Sequence, residues 1–135
     1  MKRLIPSSLL ILCSMTILTL MQTPKAQSEP AANARVLRHL VLLNFKDDAE
    51  DAQVRQVVKA FGELPSKIDE IQDFEWGREE SVEKLTKGFT HCFLVTFKSQ
   101  EDLKAYLPHA AHLDFVKLLG PVMEDVLVLD YWTNE

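Results

Sequence analysis

The segment Val36–Phe45, VLRHLVLLNF, decides how the chain folds. Its branched and large apolar residues, without Gly or Pro, read as a β-strand. His39, Val41, Leu43 and Phe45 fall on one face; Arg38, Leu40, Leu42 and Asn44 fall on the other. Both faces are apolar in the middle. A strand packed on one side only alternates apolar with polar residues, so this one is expected to be covered twice. Phe89–Phe97, FTHCFLVTF, repeats the pattern, with His91 on the face of Phe89, Phe93, Val95 and Phe97, and with Cys92 and Leu94 opposite.

Between these strands, Asp47-Asp48 offers a helix cap with Asp51 three residues after Asp48. Val54, Val57, Val58, Phe61 and Leu64 follow at helical spacing up to Pro65. Ile68–Gly77 returns to an extended pattern in which Phe74 and Trp76 share a face, and residues 78–88 form a charged hairpin or loop. Ser99-Gln100-Glu101-Asp102 reads as a capping box, with Asp in the usual Glu place, opening a helix through Leu103 and Tyr106. Pro108 removes an amide donor and breaks or restarts that helix. Its second part is expected to run a stripe of His112, Val116 and Leu119, with Leu113 and Phe115 beside it, to Gly120-Pro121. Glu124–Trp132 is the last strand, with Val126, Val128 and Asp130 on one face.

The order β-α-β-β-α-β predicts an α+β, ferredoxin-like split βαβ fold. Helices cover one face of such a sheet. The other apolar face calls for a second sheet, most simply from another copy of the chain, closing a dimeric α/β barrel.

The first segment reads differently. Met1-Lys2-Arg3 is followed by an apolar run from Leu9 to Met21 and then by polar residues. This is the plan of a secretory signal, too short for a comfortable membrane span. Cleavage after Ala26-Gln27-Ser28 divides the chain into a signal peptide, residues 1–28, a linker, residues 29–35, and a domain, residues 36–135. A secreted or periplasmic protein without stable membrane insertion is expected. Net charge then falls from −5 to −8, because Lys2, Arg3 and Lys25 leave and no acid does. Such a domain repels phosphate backbones, which argues against nucleic acid as a partner. Only Cys92 remains, so no internal disulfide can form.

Four histidines and one tyrosine carry the chemical interest. His39 and His91 lie on neighbouring strands of the expected sheet. Tyr106, His109 and His112 lie around the helix break, and Asp130 sits within an apolar strand, where it needs a partner. If the broken helix covers the face holding His39 and His91, these rings approach one pocket. A His–Asp pair orients an imidazole for proton transfer, and a tyrosine hydroxyl can hold an oxyanion. That set suffices for enolate chemistry without metal or organic cofactor. The alternative is that the same side chains are hydrogen-bonded core residues. A metal site is disfavoured because helical zinc ligands prefer i, i+4 spacing, whereas His109 and His112 are three apart.

RHLVLLNFK, GFTHCFLVTFKSQEDLKAYLPHAAH and VLVLDYW, spanning about Arg38 to Trp132, resemble the stress-responsive dimeric A/B barrel (Dabb) family. The resemblance implies a ferredoxin-like homodimer. One plant member is a polyketide cyclase working by intramolecular aldol condensation. By that likeness Tyr106 and His112 are catalytic, Asp130 supports the latter, and His39 and His91 line the substrate pocket; His109, on the same broken helix, is read as a further substrate-binding residue. Many members carry proline after the first helix histidine; this chain has Pro108 before it. The expectation is thus an exported small-molecule-binding domain with cofactor-free acid/base activity. A non-catalytic ligand-binding or interaction module is the other reading.

Overall fold

The computed structural model describes residues 35–133. The signal and most of the linker expected from the sequence lie outside the described residues. Four strands alternate with helices in the split βαβ order. They are β1 (Leu37–Phe45), α1 (Asp51–Gly62), β2 (Asp73–Arg78), β3 (His91–Phe97), α2 (Gln100–Tyr106), α3 (Ala110–Leu119) and β4 (Met123–Trp132), with a short 3₁₀ turn at Leu64–Ser66. The antiparallel sheet has the order β2-β3-β1-β4. The chain is an α+β protein of ferredoxin-like fold.

The element boundaries have local causes. Helix α1 starts later than the Asp47-Asp48 reading placed it. Glu50 is its N-cap, and the Glu50 amide donates to Gln53 Oε1 at 3.1 Å. That reciprocal box satisfies two otherwise orphaned donors, which an Asp48 cap without a Glu or Gln partner cannot match. Pro65 opens the 3₁₀ turn that ends the helical segment. Ser99 caps α2 as the sequence indicates, accepting the Asp102 amide at 3.1 Å.

The helices cover the face of the sheet that carries Leu37, His39, Val41, Leu43, His91, Phe93, Val95 and Phe97, nearly all buried. Phe61 of α1 stacks on Phe93, with ring centroids 4.4 Å apart, and meets Phe115 of α3 at 4.4 Å. The buried residues of α3 are Phe115 and Leu119. Val116 and Leu113, expected beside the core, are about half exposed. A ten-residue helix presents one narrow stripe, and Phe115 with Leu119, four apart, fills it.

The other face is as apolar as the strand pattern demanded, and no element among the described residues covers it. Leu40, Leu42, Cys92 and Leu94 are only part-buried, and Leu127, Leu129 and Tyr131 on β4 are about half exposed. None of the described helices is long and apolar enough to cross a membrane.

Candidate functional site

The β1–β4 register sets His39 directly opposite Asp130. His39 is buried, and its Nδ1 lies 2.7 Å from Asp130 Oδ1. Asp130 sits on the edge strand with its side chain partly open to solvent. Family likeness pointed Asp130 at the helix histidine. The sheet directs it to His39 instead, because paired positions on neighbouring strands project to the same side.

The interrupted helix supplies the other half. Tyr106 is the last residue of α2, and His109 is the N-cap of α3. In an unbroken helix the Leu107 carbonyl would accept the Ala111 amide. Here the Ala111 amide donates to His109 Nδ1 at 3.2 Å. The Leu107 carbonyl, left free, lies 2.8 Å from His112 Nδ1. A carbonyl can only accept, so Nδ1 of His112 carries the proton and Nε2 presents its lone pair when the ring is neutral. Burial, followed by the charges of His39 and His109, pulls the His112 pKa below its ordinary value of 6.5; the Leu107 bond opposes that shift. Burial thus favours the neutral form of the His112 ring.

Tyr106 is completely buried, and burial drives its phenol far above the ordinary value, so it stays a proton donor. Its ring lies 4.4 Å from that of His112 and 5.8 Å from that of His39 (centroid distances). The hydroxyl has no hydrogen-bond partner among the described residues. An unsatisfied buried hydroxyl costs about 1–3 kcal/mol. Beside Asp130, Val126 and Val128 point to the same side of β4 and remain 39% and 50% exposed.

Two of the expected residues stand elsewhere. His109 is used as a helix cap. His91 pairs with Leu43 across β1, whereas His39 pairs with Val95. That is four residues along the strand, or about 13 Å. His91 contacts Phe45 at 5.0 Å between centroids, and its Nδ1 lies 2.9 Å from Thr90 Oγ1. Burial, and then the Arg78 charge, lowers its pKa. The rings thus form two centres on one sheet face: His39, Asp130, Tyr106 and His112 at one end, and His91 at the other. No group of three or more potential metal ligands is assembled among the described residues.

Fold and cluster together define a ferredoxin-like α+β domain that places a His–Asp pair, a histidine and a tyrosine under a broken helix. A family model, the Stress responsive A/B Barrel Domain, matches residues 37–133, and the chain belongs to that family. Stress-response A/B barrel domain-containing protein HS1 of Arabidopsis thaliana is 34% identical over 95 residues, which is 70% of this chain and 87% of that protein. Olivetolic acid cyclase of Cannabis sativa is 33% identical over 95 residues, 70% of this chain and 94% of that protein. Among solved structures, the hydroxynitrile lyase from Passiflora edulis superposes with a TM-score of 0.71 at 30% identity, covering 76% of this chain and 97% of the lyase.

Proposed function

We propose that the domain binds a small organic molecule at the Tyr106–His112 cluster and performs cofactor-independent acid/base chemistry on it, as an exported homodimer. One observation carries the reading: the buried Tyr106 hydroxyl has no hydrogen-bond partner among the described residues, and its ring lies 4.4 Å from that of His112, whose Nδ1 bonds the Leu107 carbonyl and leaves Nε2 to accept a proton. A substrate oxygen within reach of Tyr106 relieves the unsatisfied hydroxyl. It also receives a hydrogen bond that strengthens as negative charge develops on it. His112 Nε2 takes the proton from the adjacent C–H or O–H, becomes imidazolium, and returns the proton to the product. The His39–Asp130 pair holds a second imidazole against the tyrosine ring and positions it. A cyclase and a lyase among the relatives support carbon-centred chemistry of this kind, with polyketide-type aldol condensation as a narrower form.

The dimer rests on the uncovered apolar face. Among the described residues the four-stranded sheet ends at β2 and β4 and does not close into a barrel. Packing the Leu40, Leu42, Leu127 and Leu129 face against its counterpart in a second copy buries that surface and builds one. Export rests on the charge and apolar pattern of residues 1–28.

Tight packing of Phe61 on Phe93 and Phe115 favours a second reading, in which the pocket is small and the module binds without turnover. The test is a panel of poly-β-keto and cyanohydrin substrates offered to the full chain, to His112→Ala and to Tyr106→Phe. Turnover lost in both variants, with circular dichroism and oligomer mass unchanged, supports catalysis. Equal rates in all three proteins, or none in the parent, reject it.

A further inference from the structure

His109 stands at the break between α2 and α3, and the chemistry assigned to Tyr106 and His112 leaves its imidazole unused. The residue is tied there three times. Its amide donates to the Tyr106 carbonyl at 3.1 Å, its carbonyl accepts the Leu113 amide at 3.0 Å, and its Nδ1 accepts the Ala111 amide at 3.2 Å. Its backbone is extended, with φ −60° and ψ 137°. Pro108, just before it, has no amide to give. His109 thus joins the end of α2 to the first turn of α3.

The consequence falls on one carbonyl. The helical partner of the Leu107 carbonyl is the Ala111 amide, four residues on. His109 takes that amide. The carbonyl stays open to the His112 side chain, whose Nδ1 lies 2.8 Å from it. Among the described residues this is the single hydrogen bond of the His112 ring. The proton of a neutral imidazole sits where its hydrogen-bond partner sets it. Without the cap, the Ala111 amide turns to the Leu107 carbonyl, competes with His112 Nδ1 for it, and draws the first turn of α3 out of place. The His112 ring then loses the bond that puts its proton on Nδ1 and leaves Nε2 bare.

We propose that His109 is a positioning residue for His112: by capping α3 it reserves the Leu107 carbonyl for the His112 ring and fixes which ring nitrogen is left to accept a proton. This role rests on the acid/base reading of His112.

The test is nitrogen-15 NMR of the neutral imidazoles in the full chain, in His109→Ala and in His109→Ser. In the parent the two rings should be opposite tautomers, His109 protonated at Nε2 and His112 at Nδ1. His109→Ala should move the His112 ratio towards Nε2 by about fivefold, the weight of one lost cap. His109→Ser puts a hydroxyl acceptor in the same place and should restore the parent ratio, which filling the space of the ring alone would not do. For a substrate that the parent turns over, kcat should follow that ratio across the three proteins while KM stays unchanged. A parent His109 protonated at Nδ1 overturns the proposal, because that nitrogen could not then accept. So does a His112 ratio unmoved in His109→Ala, or a shift that His109→Ser does not reverse. The expected tautomers and rescue in a protein without turnover would support the hold of His109 on the ring and reject the acid/base reading instead.

Discussion

His39 and His91 sit on the same face of adjoining strands, four register positions apart, and meet opposite surroundings. His39 has a carboxylate at 2.7 Å, with Tyr106 and His112 beyond it. His91 has a hydroxyl at 2.9 Å and a neighbouring arginine. Between them, Phe61, Phe93 and Phe115 fill the inner face with stacked and tilted rings. The contrast shows that burying an imidazole does not fix its role. The neighbours delivered by strand register do: Asp130 arrives at one end from β4, and Arg78 at the other from β2. One end gathers His39, Asp130, Tyr106 and His112, and the other sets His91 beside Arg78.

The largest effect should come from breaking the first end. For a substrate that the parent turns over, His112→Ala should lower the rate by about 10²- to 10⁴-fold, the usual worth of a general base. Melting the aromatic divide comes next. Phe61→Ala removes a fully buried ring from between Phe93 and Phe115 and should cost about 3–5 kcal/mol, read as a fall in urea midpoint. An unchanged midpoint would mean that the two ends are not separated by a packed core.

Tyr106→Phe sharpens the comparison because stability and activity should move in opposite directions. Removing an unsatisfied buried hydroxyl should raise stability by about 1–3 kcal/mol, while turnover falls. If the variant is less stable, the hydroxyl has a structural partner and the cluster is ordinary core. The Ser99 cap gives a smaller effect at the same end. Ser99→Ala should cost about 1 kcal/mol by freeing the Asp102 amide and loosening α2 beneath Tyr106.

The pH response is the mildest. His91 and His112 both have folded pKa values below the ordinary 6.5, chiefly through burial. Their unfolded forms therefore bind protons first as pH falls. Stability should be at its plateau above the unfolded value and should decline as pH drops through it towards the two lowered values. Equilibrium urea unfolding between pH 7.5 and pH 5.5 checks this. The decline should shrink when both histidines are replaced by Gln.

Much of this was legible in the residues because it is local. The doubly apolar Val36–Phe45 and Phe89–Phe97 stretches announced strands with two apolar faces, and Pro108 announced the helix break. The capping serine stood in a recognisable four-residue pattern. What escaped depends on contacts made far along the chain. Asp130 is 91 residues from His39, and no sequence spacing says which imidazole it meets. His109 as a cap had a local signal: it follows Pro108 and precedes two alanines, where a helix restarts and needs an acceptor. The groove that α1 and β2 line was hidden for another reason. Arg55, Lys59 and Gly62 lie on the polar side of α1, which reads as a solvated surface until β2 brings Trp76 and Arg78 across from it. Arg55 and Lys59, four apart on the helix, and Trp76 and Arg78, two apart on the strand, were the available clue.

The most direct measurement is an NMR titration of the His112 imidazole in the full chain, following its two ring nitrogens with pH. The account predicts a midpoint below 6.5 and a neutral form protonated at Nδ1, with Nε2 bare. A midpoint above that value, or a neutral ring protonated at Nε2, would contradict a histidine poised to take a proton beside Tyr106.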